Sequence, residues 1–366
     1  MRIFVTGSDG YLGSLLTPAL MQASHEVVGL DTGFYKERML YRSKEPTPPT
    51  LVKDVRELEA SDLAGFDAIV HLGELSNDPA GELAPHVTYE INHKGSVRLA
   101  ELARKSGVRR FVYMSSCSVY GVAGDDFLTE ESPTDPQTSY AICKTLVERD
   151  LRGLADERFA PTYLRNATAY GASPRMRFDI VLNNLAGLAW TRKEICMTSD
   201  GTPWRPIVHG LDICQAILAV LAAPREAVAN EVFNVGDTNF NYRVRDIAQI
   251  VGEVFPGCAV SFGPPNADNR SYRVSFAKIQ KHLPTFKCQW DARRGAKQLL
   301  DLFARVDLTE EIFAYRSFTR LQQLRYLIGT RQIDNNFFWI EPEEVDGPPN
   351  PSLPLMEPVV RTNGDH

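Results

Sequence analysis

Arg2-Ile3-Phe4-Val5-Thr6-Gly7-Ser8-Asp9-Gly10-Tyr11-Leu12-Gly13 decides how this chain folds. Residues 2–5 form a short apolar strand that runs straight into a glycine-rich turn. Gly7, Gly10 and Gly13 are spaced for a tight turn, for close backbone approach to a pyrophosphate and for close helix packing. Tyr11 and Leu12 complete the turn, and Ser14-Leu15-Leu16 opens a helix whose N-terminus faces the phosphates. A second strand at 26–30 ends in Asp31. An acid roughly twenty residues past the glycines accepts the adenosine ribose hydroxyls and repels a 2′-phosphate, which selects NAD over NADP. A glycine-rich turn alone joins many strands to helices; strand, helix and Asp31 together make it a dinucleotide site.

Working outward, apolar strand patterns recur at 50–52, 68–71, 111–114 and 163–165, separated by helical stretches such as 87–106 with Gly107 as a stop. That alternation implies right-handed crossovers and an α/β fold of Rossmann type, a doubly wound parallel sheet with a smaller C-terminal substrate-binding lobe. The domain reading is a cofactor domain over 1–165 with returning strands near 204–236, and a substrate lobe mainly over 166–340. A tail over 341–366, rich in proline and acids, has the composition of disorder.

Composition sets the outer limits. With 366 residues, 43% of them hydrophobic, the chain can bury a large core. A net charge of −6 argues against nucleic acid and anionic membrane as partners. The six cysteines occur singly, without a Cys-x-x-Cys pair, which reads as reduced thiols with neither disulfide frame nor metal site. No apolar run reaches spanning length and Met1 leads directly into a strand, so the expectation is a cytoplasmic protein.

The chemistry is carried by Tyr140-Ala141-Ile142-Cys143-Lys144. A tyrosine and a lysine one helical turn apart share a face, and the ammonium of Lys144 can stabilise the phenolate of Tyr140. This would draw the phenol from about 10 toward working pH, as suits a base acting on a sugar or alcohol hydroxyl. Upstream, the strand at 111–114 delivers Ser115-Ser116-Cys117-Ser118 at its carboxyl end, the ligand edge of a parallel sheet.

Together these residues resemble the extended short-chain dehydrogenase/reductase family, in its NAD-dependent sugar-nucleotide epimerase/dehydratase branch. The resemblance runs from Met1 to about Lys278 on the Thr-Gly-x-x-Gly-x-x-Gly opening, the Ser-Ser-x-x-Val-Tyr-Gly strand end and Tyr-x-x-x-Lys. It implies Ser116, Tyr140 and Lys144 as the catalytic set and a nucleotide sugar as substrate. On the cofactor side it adds Asp54 and Val55 at the adenine and Leu72 and Gly73 beside the nicotinamide ribose. Asn92 matches a helix asparagine that is mainly structural. For the substrate it implies Arg205 on the diphosphate, in a segment where Pro206 replaces the usual aspartate. Asn183 would cap the pyrophosphate, and Arg270 would serve as a second phosphate-binding arginine. Ser76 and Thr168 stand at positions beside the hexose; Glu74 likewise replaces a residue common there. The family's dimerisation through helices near 87–106 and 139–151 implies a homodimer.

Absences narrow the reaction. Dehydratases of this branch place a glutamate two residues after the Ser/Thr, often with an aspartate between; here those positions hold Ser118 and Cys117. Without that acid, elimination of a hydroxyl loses its obvious proton donor. What remains is chemistry needing only NAD, Tyr140, Lys144 and Ser116, which reads as epimerisation at C4 through a 4-keto sugar. A nucleotide-sugar 4-ketoreductase or dehydrogenase, and a non-catalytic NAD-bound regulator, stay open as alternatives. The segment 316–339, with helical Leu and Phe spacing, lies past the resemblance and reads as packing over the substrate lobe or as part of a dimer contact.

Overall fold

Parallel strands covered on both faces read as unbroken apolar runs, and the strand that opens this chain is of that kind. A computed structural model describes residues 1–124, 126–265 and 271–341. In chain order the strands are β1 (Arg2–Thr6), β2 (Glu26–Asp31), β3 (Thr50–Val52), β4 (Ala68–His71), β5 (Arg110–Ser116), β6 (Phe127–Leu128) and β7 (Ala160–Asn166). They continue as β8 (Thr168–Tyr170), β9 (Glu194–Cys196), β10 (Trp204–His209), β11 (Val232–Val235), β12 (Asn241–Arg243), β13 (Ala259–Ser261) and β14 (Arg273–Val274). A seven-stranded parallel sheet runs β11-β7-β5-β4-β1-β2-β3, as a Rossmann-type fold requires.

Alternation along each strand sends side chains to opposite faces. Ile3 and Val5 join one core with Leu16, Leu20, Ile213 and Ile217 from helices Gly13–Gln22 and Gly210–Ala222. Phe4 joins another on the far face, with Leu99, Ala103, Val147 and Leu151 from helices Ser96–Lys105 and Ser139–Arg152. A third core, including Leu182, Ile247, Leu299 and Phe303, holds helices Val181–Thr191, Val244–Val254 and Ala292–Val306 together. The strand read at 204–208 is β10, which pairs in parallel with β8 and antiparallel with β12 in a small separate sheet. The strand read at 231–235 is β11, on the edge of the main sheet beside β7.

Strand order reverses between β1 and β4, and a crevice opens there at the carboxyl ends of the strands. The two strand ends are locked together. The Thr6 hydroxyl accepts the N–H groups of Leu72 (3.2 Å) and Gly73 (2.9 Å) and meets His71 Nδ1 at 2.7 Å. Gly7 turns the chain at φ +68°, and a Cβ there would sit 2.9 Å from the nitrogen of Gly73. Only glycine combines that angle with so close a neighbour.

Two stretches differ from their sequence reading. The single helix read at 87–106 is a short helix Pro85–Thr88, a π-helical stretch Tyr89–Gly95, then helix Ser96–Lys105. Within the wide turn Asn92 is fully buried and clamps the loop after β4, accepting from Leu75 N (2.8 Å) and donating to Leu75 O (2.9 Å). The 316–339 segment does not confine itself to the substrate lobe. Phe318 joins the substrate-side core, but Leu324, Leu327, Ile333 and Phe337 fill the cofactor-side core beside Phe34, Val55 and Leu58. The proline-rich tail beyond residue 341 lies outside the described residues.

Two stability effects follow. Asn92→Ala leaves the Leu75 N–H and C=O unpaired in the core and lowers unfolding free energy by about 1–3 kcal/mol in urea titration. His71 is neutral and buried; burial, with the Lys144 charge adding, lowers its pKa from 6.5 to about 3. The unfolded chain therefore binds a proton that the folded chain refuses. This contribution is fully present above pH 6.5 and is lost as pH falls toward about 3, with a slope of at most about 1.4 kcal/mol per pH unit. Urea titrations from pH 7 to 5 measure this, and the His71→Gln variant loses that component of the slope.

Candidate active site

The crevice at the β1–β4 reversal opens into one cleft that reaches from Asp31 at one end to Arg205 and Tyr272 at the other. Its floor is the glycine turn. Gly7 and Ser8 donate their N–H groups to Leu30 O and Gly10 N donates to Gly7 O, while the Ser173 hydroxyl donates to Tyr11 O (2.8 Å). A Cβ on Gly13 would sit 2.1 Å from Gly7 O, so the helix can start only where a glycine stands. No side chain caps that helix; its first turn is closed by backbone bonds from Ser14 N to Gly10 O and from Leu15 N to Leu12 O, and its positive dipole end faces the cleft. Asp31 closes β2, its carboxylate accepting from Asp9 N (3.1 Å) and Gly33 N (2.8 Å). Leu72 and Gly73 line the cleft from β4. Asp54 and Val55 line it too, although the Asp54 carboxylate is turned to Arg56, with contacts of 2.8 and 2.9 Å. A glycine turn at a helix N-terminus, next to a carboxylate at the end of β2, fits NAD.

Ser116 ends β5, and its hydroxyl accepts Ser118 N at 3.1 Å. Tyr140 and Lys144 lie one turn apart on helix Ser139–Arg152, which Thr138 caps by accepting Ala141 N (3.2 Å). That helix is docked by the loop after β4, where Asp78 accepts the Thr138 hydroxyl (2.7 Å) and Glu82 accepts Ser139 N (2.7 Å). All three side chains meet the same cleft. Ammonium and phenol rings are close: Lys144 Nζ lies 5.4 Å from the Tyr140 ring centre and 4.7 Å from that of Tyr113.

A fourth group enters this set. Glu74, buried in the loop after β4, places Oε2 2.5 Å from Lys144 Nζ. Its Oε1 accepts the Ser96 hydroxyl (3.1 Å), which in turn meets His71 Nε2 at 2.7 Å. Lys144 also donates to Met114 O. Burial alone would lower the Lys144 pKa, but Glu74, with Tyr140 and Cys143 adding, outweighs it and the ammonium sits above its ordinary value. Tyr140 departs from the reading of its sequence motif. Burial pushes the phenol above 10; Lys144 pulls it down, Glu74 and Asp78 push it back up, and Ser116 pulls it down. The lysine alone does not set the phenol, because burial and the neighbouring Glu74 carboxylate act against it.

The substrate end is mixed. Ser76, Thr168 on β8 and Arg205 on β10 all line the cleft. Ser76 accepts Arg177 Nη1 at 3.2 Å, and Arg205 donates to Trp204 O (2.8 Å) with its guanidinium 5.6 Å from the Tyr272 ring centre. Asn183 corrects its assignment to the pyrophosphate. It is fully buried away from the cleft, where it accepts Gly171 N (2.8 Å) and donates to Arg177 O (3.0 Å). Those bonds tie the loop after β8 to the substrate helix and leave the amide nothing to offer a ligand. Arg270 lies outside the described residues. Cys117 is buried, donates to Arg165 O (3.2 Å), and burial pushes its thiol far up, so it is a core group rather than a base.

Sequence reasoning passed over several cleft groups. Asn166 Oδ1 and Ser118 Oγ are buried at the cleft without a partner among the described residues, as suits contacts to sugar hydroxyls. Arg177, Asp179 and Arg320 also line it. Arg177 and Asp179 sit in a loop without regular periodicity, and Arg320 comes from the unexplained C-terminal segment. Polar side chains in such places carry no pattern that marks them.

The Glu74→Gln variant removes a negative charge from beside both Lys144 and Tyr140. Its Tyr140 phenolate therefore appears at lower pH than in the wild type, and Lys144→Met moves it to higher pH; ultraviolet difference titration of the phenol reads both.

Residues 3–236 match the sequence model of the family described as "NAD dependent epimerase/dehydratase family". The chain is 28% identical over 324 residues to UDP-glucose 4-epimerase of Bacillus subtilis, which covers 82% of this chain and 94% of the relative. Among solved structures it is similar to TunA, an NAD dependent NDP-hexosamine 5,6-dehydratase, with TM-score 0.74 and 25% identity over 84% of this chain and 99% of that one. It is also similar to DesIV, a dTDP-glucose 4,6-dehydratase from Streptomyces venezuelae solved with NAD bound, with TM-score 0.73 and 24% identity over 83% and 97% of the two chains.

Proposed function

Because this chain belongs to the NAD dependent epimerase/dehydratase family, we propose that it is a nucleotide-sugar 4-epimerase working through a transient 4-keto sugar. The observation that carries the reading is the convergence of Tyr140, Ser116 and Lys144 on one cleft whose strand end offers Cys117 and Ser118 where a dehydratase acid would stand. The curated epimerase relative supports it; the dehydratase structures share the fold without deciding the reaction.

Bound NAD supplies the hydride acceptor and donor. The chain supplies proton handling and position. Tyr140 takes the proton from the C4 hydroxyl of the sugar, and the Ser116 hydroxyl donates to the same oxygen as it becomes a carbonyl. Lys144, held by Glu74 and Met114 O, steadies the phenolate. Arg205 holds the diphosphate end, so the keto sugar can turn about that anchor and present its other face. Tyr140 then returns the proton, and net redox change is zero. Asn166 Oδ1 and Ser118 Oγ are available to sugar hydroxyls. The same reading carries a homodimer through the helices near 87–106 and 139–151, and a cytoplasmic setting; no helix among the described residues is long and apolar enough to cross a membrane.

Incubation with UDP-, dTDP-, GDP- and CDP-sugars, without added cofactor, tests the reading. The expected product is an isomer of unchanged mass by chromatography and proton NMR, with turnover reduced about 10²- to 10⁴-fold in Tyr140→Phe. A mass change of two hydrogens with NADH consumed or formed identifies a ketoreductase or dehydrogenase instead. Loss of water identifies a dehydratase.

A further inference from the structure

Arg320 opens the C-terminal helix Arg320–Gly329 and enters the cleft from a part of the chain that no motif marks. Its residue is 4% exposed, and its backbone N–H donates to Asp179 Oδ2 at 3.0 Å. The guanidinium carbon lies over Tyr35, 3.8 Å from the ring centre. Among the described residues no carboxylate or carbonyl accepts from that guanidinium. Its neighbour Arg177 is fully answered, with Nε and Nη2 on the two oxygens of Asp179 (2.8 and 3.2 Å) and Nη1 on Ser76.

One carboxylate thus serves two buried arginines. Asp31 is close enough to be felt, but its oxygens already accept the N–H groups of Asp9 and Gly33. A desolvated cation without an acceptor is costly unless an anion completes it. Burial, then repulsion from Arg177, lowers the Arg320 pKa to about 10.

The position is built rather than accidental. Gln323 donates to Phe34 O (3.0 Å) and Trp339 Nε1 donates to Thr32 O (2.6 Å), so the segment is fastened to the loop that follows Asp31. Trp339 packs on Phe34 at 5.7 Å between ring centres. That loop borders the adenosine end of the cleft, opposite the Arg205 end. An arginine fork held there matches the paired oxygens of a diphosphate.

We propose that Arg320 is an anchor for the pyrophosphate of bound NAD, so that the C-terminal segment is part of the cofactor site. This rests on NAD as the cofactor and not on which sugar is turned over, so failure of the epimerase assay leaves the test intact.

The test uses full-length protein stripped of nucleotide and titrated calorimetrically with NAD, ADP-ribose, adenosine and UDP. In Arg320→Gln, Kd for NAD and for ADP-ribose rises at least tenfold, while Kd for adenosine and UDP is unchanged. The salt dependence of NAD binding becomes shallower in the variant. Arg320→Lys keeps the charge without the fork and falls between; it carries the comparison if the glutamine variant does not fold. Weakened UDP binding with intact NAD binding overturns the proposal and assigns Arg320 to the substrate diphosphate. Equal loss for adenosine, or a lower melting temperature of the stripped protein with all affinities unchanged, overturns it in favour of a packing role on Tyr35.

Discussion

The contact between the ends of β1 and β4 is where everything functional in this molecule is hung. Thr6 holds the backbone of Leu72 and Gly73, and Gly7 packs against Gly73 with no room for a methyl group between them. This contact brings the glycine turn, which addresses phosphates, within reach of the loop that carries Glu74, Ser76 and Asp78. From that loop the catalytic helix is docked through Thr138 and Ser139. The glycine turn and the helix that carries Tyr140 and Lys144 thus both fasten to the segment that follows β4.

Glu74 changes how the lysine is understood. In a simple Tyr-Lys pair the ammonium has one task, to favour the phenolate. Here it is divided between a buried carboxylate, a main-chain carbonyl and the phenol ring, and burial of Tyr140 opposes all of this. Burial leaves the Tyr140 phenol above its ordinary value despite Lys144. A nearby positive charge or a ligand hydroxyl that competes for Glu74 would tip the phenol toward its basic form.

Periodicity and glycine spacing made the central sheet, the glycine turn and Asp31 legible in the sequence, because each depends on local patterns; the family resemblance pointed to Ser116, Tyr140 and Lys144, which the fold brings to one cleft. Legibility ended where a side chain's role depends on what lies opposite. Asn183 sits at a position suggestive of phosphate binding, yet its amide is consumed by Gly171 and Arg177. Nothing around Leu75 or Asn92 in sequence announces that they bond to each other and widen a helix into a π-turn. Glu74 stood out as an unusual residue, but its pairing with Lys144 spans 70 positions and is visible only once β4 and the catalytic helix are side by side.

The C-terminal segment also sets a timetable. Leu324, Leu327, Ile333 and Phe337 fill a core whose other members include Phe4, Val55 and Leu58, so the cofactor half is closed by residues synthesised some three hundred positions after it begins. Contacts of such separation form late, because a long loop must be closed before they contribute. On the ribosome the nucleotide-binding half therefore waits, with part of its apolar face bare, until residues 324–337 have emerged. A polypeptide cut before residue 320 loses more than an appendage: it leaves an exposed hydrophobic surface on the half that carries the cofactor motif, and quality control would meet it as an unfinished protein.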